Sequence, residues 1–227
     1  MTSALFGAGE SANGWFVNAN NDPAGTALDG NPLNQLRPTG GIYYLSPGYD
    51  GLRGGRITEM IRAALDDGRR VDLDDMERMQ ADTVFIDAEF FVPHLVAAYE
   101  AASGSTEPAL QALAADPGIA EAVARLAEWN SSAPTGIPQG YDQADRNGKL
   151  RDPNDREVAR SVAASIYSVW RSRFMAATIG RTLGPLGLSR PRAESELVAL
   201  KRLLSGDSQS SGLDFFAIPG ISDPTVR

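Results

Sequence analysis

The sequence predicts a mainly α-helical chain with a short β portion at its N-terminal end. Three observations carry this. Residues 1 to 50 are dense in Gly, Asn and Pro and hold only two short strand-like runs. From Gly54 onward, apolar residues recur at helical spacing. The alternation of strands and helices that a parallel sheet requires is not found along the chain.

Taken in order, "GWFVNA" (14 to 19) and "GGIYYL" (40 to 45) read as strands bounded by turn formers. The loop between them, "NDPAGTALDGNPLNQLRPTG", is long enough to carry function or to pack on another element. "RITEMIRAAL" places Ile57, Met60, Ile61 and Leu65 on one helical face and stops at "DDGRR". "LDDMERMQADTVFIDA" follows as a helix with Asp72 as N-cap and acids in its first turn, where the helix dipole favours them. The pattern continues after Pro93 as "HLVAAYEAA" and breaks at Ser103-Gly104. Shorter helices are expected at 107–115 and 117–129, ending at Trp129. Residues 130–154 read as a polar Gly/Pro/Asn linker, and the longest helix as 155–183. There Val158, Val162, Ile166, Trp170 and Phe174 recur every four residues, with Val169 and Ile179 beside them, a stripe read as core. "RAESELVALKRLL" gives one more helix, and the tail from Ser205 is loop-like. The domain organisation expected is therefore a strand and loop segment at 1–50 and a helical region at 51–227. The latter comprises a first group (51–129), the linker, and the long helix with its tail (155–227).

Composition removes several function classes. A chain of 227 residues can bury a real core. Its net charge of −8 argues against nucleic acid or an anionic membrane surface as partner. With no cysteine, thiolate metal sites, cysteine nucleophiles and disulfides are excluded. The first fifteen residues have neither a basic start nor an apolar core, so no signal peptide is visible. No stretch approaches the roughly 18 to 20 apolar residues of a membrane-spanning helix. His94, the single histidine, follows Pro93 on an apolar helical pattern and reads as structural rather than as a general base. "GxSxG", "HExxH" and "GxxxxGK[ST]" are absent, which removes serine hydrolases of the triad type, zinc proteases and nucleotidases. No metal site and no cofactor are indicated.

The residues that remain are the asparagines of "GWFVNANNDPAG" (14 to 25). An amide at a strand end can be held with its NH₂ aimed into a cleft, where it stabilises a carbonyl oxygen that gains charge in acyl transfer. Strand alternation puts Asn18 and Asn20 on one face and Asn21 on the other. The second reading is turn chemistry, with Asn21-Asp22-Pro23 ending the strand. Arg53 and Arg56 in "SPGYDGLRGGRITEM" stand at a helix start, where a cation opposes the dipole. Each is either held there by a partner or simply solvated.

The order of "GWFVNANNDPAG", "YYLSPGYDGLRGGRITEMI" and "DLDDMERMQADTVFIDAEFFVPHL" resembles the penicillin acylase (penicillin amidase) family of N-terminal-nucleophile hydrolases. "ARLAEWNSSA", "VAASIYSVWRSRF" and "SGLDFFAIPG" extend the likeness loosely over nearly the whole chain. The resemblance implies a piece of an α+β hydrolase of αββα layering that cleaves linear amide bonds in substrates such as β-lactams or acyl-homoserine lactones. It implies that Asn20, second asparagine of the N-x-N-N block, is an oxyanion-hole donor, and that Arg56, in the "RI" element opening the next helix, organises the site electrostatically. A structural calcium occurs in some members. Here Asn31 stands where its acid would be and Asp29 is the nearby carboxylate, so the ion is not supported.

In that family the nucleophile is a serine freed at the start of the large subunit, with its own α-amine as base. Neither Ser3 nor Ser11 has the look of it. The chain therefore reads as an internal fragment of the large subunit, inactive alone. Its partners are the rest of that subunit, the small subunit and an acyl amide substrate. Trp15, Phe16, Tyr43 and Tyr44 are the expected apolar patch left by the missing sheet. Family members usually work in the periplasm or outside the cell; the acyl preference is not encoded here. The alternative is a non-catalytic α-helical interaction or binding module.

Overall fold

The structure, a computed structural model, describes residues 15, 17–20, 39–40, 52–66, 68, 70–138, 140, 151–205 and 215–216. Among these the chain is mainly helical and forms no strand. The expected run at 40–45 lies outside the described residues except for Gly40, and the described residues of 14–19 are irregular or bent. Contacts divide the chain into two compact units, residues 1–80 and 81–227.

In the first unit, α1 (Leu52–Asp66) buries Gly54, Thr58, Ile61 and Ala64. This face is turned from the expected one: only Ile61 is shared, and Leu65 is exposed. The Thr58 hydroxyl donates to the Gly54 carbonyl at 2.8 Å, which lets a polar residue lie on the buried side. α2 (Leu73–Gln80) starts where Asp72 was expected to cap it. The Asp75 N–H donates to Asp72 Oδ1 (2.9 Å), and the Asp72 N–H to Asp75 Oδ2 (3.1 Å), a reciprocal pair of the capping-box kind. Arg78 pairs with the buried Asp75.

The helix expected to run on from α2 stops at Gln80. Residues 82–85 are extended instead, and Val84 makes an antiparallel bridge with Ser132. β-branched Thr83 and Val84 suit that conformation better than a helix. The Phe85 N–H donates to the Ser131 carbonyl at 2.7 Å, and the Thr83 hydroxyl to the Ala133 carbonyl.

From there the second unit is helical: α3 (Ile86–Ser103), α4 (Pro108–Ala114), α5 (Pro117–Ala127), α6 (Asp155–Met175) and α7 (Ala193–Leu204). α3 packs on α4 and α5, α5 on α6, and α7 on both α3 and α6. Pro93 lies inside α3 rather than ending it. α6 continues through a π-helical turn (Ala176–Gly180), one α turn (Arg181–Leu183) and a 3-10 turn (Gly184–Leu186).

The core of this unit is aromatic. The Tyr167 ring lies 5.5 Å from Trp129, 5.9 Å from Phe85 and 5.8 Å from Trp170, while Phe91 meets Trp170 and Phe174 at 6.4 and 6.2 Å. The buried Tyr167 hydroxyl donates to Asp87 Oδ2 at 2.6 Å, and Arg171 Nη1 donates to the same oxygen at 3.0 Å. Burial first, then the adjacent carboxylate and its hydrogen bond, hold the phenol well above its ordinary pKa.

The expected stripe on α6 is not the buried face: Ile166, Trp170 and Phe174 are half-buried, and of the two residues expected beside them Val169 is exposed and Ile179 buried. Val158 and Val162 are exposed, and the helix buries Ala163, Ala164, Tyr167 and Met175. At 100° per residue, each step of four residues gains about 40°, so a strict period of four winds around the helix instead of keeping to one side. Val158 and Phe174 cannot both face the same core.

α6 begins with a complete capping box. Asn154 Oδ1 accepts from the Glu157 N–H (3.0 Å), and Glu157 Oε2 accepts from the Asn154 N–H (2.9 Å). Arg151 adds two bonds to the Glu157 carboxylate, at 2.6 and 2.5 Å. These bonds, first the one from Arg151 and then the backbone one, hold the Glu157 carboxyl down at about 2 against an ordinary 4.5. A depressed acid stabilises the fold above its unfolded pKa and stops doing so as pH falls through its folded one. Acid titration followed by far-UV circular dichroism is therefore expected to show a helicity loss between pH 4.5 and about 2 that Glu157→Gln lacks. The step should shrink in high salt, because the Arg151 side of the pair is exposed.

Candidate functional site

The asparagine segment and α1 belong to the same unit, so their contacts can be read together. Val17 and Asn18 lead into a bend at Ala19–Asn20. Asn20 has φ of +56°, one of two non-glycine residues with positive φ among the described residues. Asparagine tolerates this left-handed region better than most L-residues, because its short side chain finds local hydrogen bonds there. The Asn20 N–H donates to Asn18 Oδ1 at 3.4 Å, closing a turn two residues back along the chain. Strand alternation, which would have put Asn18 and Asn20 on one face, does not survive such a bend.

Arg53 reaches this bend from the first turn of α1. Its Nη2 donates to the Ala19 carbonyl and to Asn20 Oδ1, each at 2.9 Å. A cation in the first turn is disfavoured by the helix dipole, and these two acceptors offset that cost. Nine residues further along α1, about 14 Å of helix, the Arg62 guanidinium lies 6.0 Å from the centre of the Trp15 ring. α1 thus holds the asparagine segment at two points.

The geometry sets the chemistry of the amide. A guanidinium has donors and no acceptor, so the atom of Asn20 that faces it is the carbonyl oxygen. Nδ2, the other branch of the planar amide, is left to donate elsewhere. An Asn20 that simply closed a turn with its own backbone would have its amide committed locally. Here the local turn is made by Asn18, and the Asn20 side chain is engaged from 33 residues away.

Arg56, one turn along α1 from Arg53, is ion-paired with Glu59 (Nη1 to Oε2, 3.3 Å). The sequence named both arginines, and the amide bond of Asn20 is made by Arg53. The signal for it was present in "GLRGGRI", but nothing local distinguishes the two arginines. His94 sits exposed on α3 with Nδ1 donating to the Phe90 carbonyl at 2.9 Å, a helical back-bond. Trp15 is half-buried. Phe16, Asn21, Asp29, Asn31, Tyr43, Tyr44, Ser3 and Ser11 lie outside the described residues. Among the described residues, no group of three or more His, Asp or Glu could hold a metal ion, and no helix is long and apolar enough to cross a membrane.

A family model described as penicillin amidase matches residues 8–218, which spans the asparagine segment, both arginines and all the helices described above. No curated protein and no solved structure matches the chain.

The two roles of residue 20, backbone and amide, separate by substitution. Asn20→Gly removes the acceptor of Arg53 but suits a positive φ, whereas Asn20→Val loses the acceptor and also strains the backbone. Chemical denaturation is expected to find the valine variant less stable than the glycine variant by about 1 to 2 kcal/mol.

Proposed function

The chain belongs to the penicillin amidase family, and on that footing we propose that it supplies the oxyanion side of an acylase-type amidohydrolase. The enzyme cleaves the linear amide bond of an acylated small molecule, such as a β-lactam or an acyl-homoserine lactone. The observation that carries this reading is the 2.9 Å bond from Arg53 Nη2 to Asn20 Oδ1.

In amide cleavage the carbonyl oxygen gains a negative charge as the tetrahedral intermediate forms. A donor already aimed at that oxygen stabilises it by roughly 2.7 to 4 kcal/mol, because no reorganisation is needed during the reaction. Asn20 Nδ2 is that donor. Arg53 fixes which end of the amide faces the cleft, and its charge polarises the amide so that the N–H donates more strongly. Arg56, kept in place by Glu59, adds positive potential at the same end of α1.

The attacking group is a serine with a free α-amine, carried by a segment outside these 227 residues. Its Oγ adds to the carbonyl carbon while the α-amine takes the hydroxyl proton. The same amine returns a proton to the leaving nitrogen as the C–N bond breaks, and water then hydrolyses the acyl ester. In this reading residues 1–50 are part of the αββα hydrolase core. The remainder of the large subunit and the small subunit are the protein partners.

A second reading, a non-catalytic helical binding module, draws on the exposed Val158, Val162 and Val169 of α6. Activity separates the two. The purified chain should not hydrolyse a chromogenic phenylacetyl or fatty-acyl amide. Joined to a serine-bearing segment of the family, it should support turnover, and Asn20→Ala should then lower kcat by about 10² to 10³ with KM little changed. Turnover by the chain alone that survives Asn20→Ala contradicts the proposal.

A further inference from the structure

We infer that the solvent-facing side of α6 is a self-association surface, on which a second copy of this chain docks antiparallel. The inference lies beyond the acylase reading and does not depend on the role of Asn20.

Val158, Val162, Ser165, Val169 and Ser172 are all exposed on α6, Val169 by 64%. Their spacing, four and three residues in turn, keeps them within an arc of about 80° along the helix. The serines interrupt this stripe without asking for water as acceptor. The Ser165 hydroxyl donates to the Ser161 carbonyl at 2.9 Å, and the Ser172 hydroxyl to the Ser168 carbonyl at 3.1 Å. Serine and valine are also small, so another helix can approach closely along the whole stripe.

Charge decides what fits there. Asp155 and Arg173 are the charged residues of α6 that lie within about 60° of the middle of the stripe. They stand on the same edge of it, nine residues to either side of Ala164. Both are exposed, and neither side chain has an ion pair or hydrogen bond among the described residues. A two-fold axis level with Ala164, between two antiparallel copies of α6, sets Asp155 of each copy against Arg173 of the other. The same register seats Val158 between Val169 and Ser172 of the second copy, and Val162 between Ser165 and Val169. A parallel pair keeps acid and base at opposite ends, about 27 Å apart. A partner of other sequence needs the opposite charges at this spacing; a second copy already carries them.

The test is sedimentation of the full chain over a dilution series reaching millimolar protein. Wild type should pass from monomer to dimer as its concentration rises. Val169→Arg should stay monomeric with its far-UV circular dichroism unchanged. Asp155→Arg and Arg173→Asp should each weaken association, and the double swap should restore it, which a mere loss of helix stability would not allow. The chain has no cysteine, so one introduced thiol reports the register. Ser165→Cys should cross-link two copies on oxidation. Ser172→Cys should not, since antiparallel copies hold that position about 24 Å from its counterpart. A wild type that stays monomeric throughout overturns the inference and leaves the face to another occupant, such as the rest of the large subunit. So do a dimer that Val169→Arg leaves intact, a double swap that fails to restore association, and cross-linking that does not favour Ser165→Cys.

Discussion

Arginine offers donors in every direction of its plane and accepts from none, and Asn20 faces it with a side chain that has one end of each kind. That mismatch decides the orientation of the amide without reference to any ligand. The oxygen must meet Nη2, as it does at 2.9 Å, and the nitrogen must point elsewhere. Everything assigned to the asparagine segment follows from this. The bend at Ala19–Asn20, the positive φ and the turn closed by Asn18 bring the amide to the arginine. The first turn of α1 brings the arginine to the amide.

The second unit solves a different problem with the same chemistry. Asp87 is buried at the start of α3, where an isolated carboxylate would be costly, and it is satisfied by the Tyr167 hydroxyl and by Arg171 on α6. The Arg171 guanidinium also lies 5.7 Å from the ring centres of both Phe85 and Tyr167, so charge, hydrogen bond and aromatic core form one cluster. Trp129 belongs to it through its ring, and its indole N–H donates to the Ser132 carbonyl at 2.8 Å. The motifs "FIDAEFF", "EWNSS" and "SIYSVWRSRF", far apart in sequence, meet here. The Tyr167 hydroxyl, Asp87 Oδ2, Arg171 Nη1 and the Trp129 N–H are all engaged within the fold.

Much of the helical organisation was legible because helices announce their ends. Asp72, the end of the polar linker at residue 154, and Ser103-Gly104 marked boundaries that hold, since helix ends depend on residues within one turn of each other. Buried faces were less legible. The stripe on α6 and the face of α1 were read from large apolar residues alone, whereas burial also fell on small ones: Ala163 and Ala164 in one, Gly54 and Ala64 in the other. The end of α2 was missed because a bridge to Ser132, 48 residues away, outweighed a helical pattern. At the site, Asn20 was legible as either a turn residue or a donor, and it is in a turn with its side chain directed outward from it. That Arg53 makes the contact was not legible, because a partner 33 residues away leaves no trace in local spacing.

The most direct measurement is a double-mutant cycle of Arg53→Ala and Asn20→Ala, read by chemical denaturation of the 227-residue chain. If the guanidinium holds the amide, the two losses overlap and the double variant is less destabilised than the sum of the singles, with a coupling of at least about 0.5 kcal/mol. Losses that add within about 0.3 kcal/mol would mean that the two side chains do not act on each other. The orientation of Nδ2 would then have no physical cause, and the oxyanion role built on it would fall.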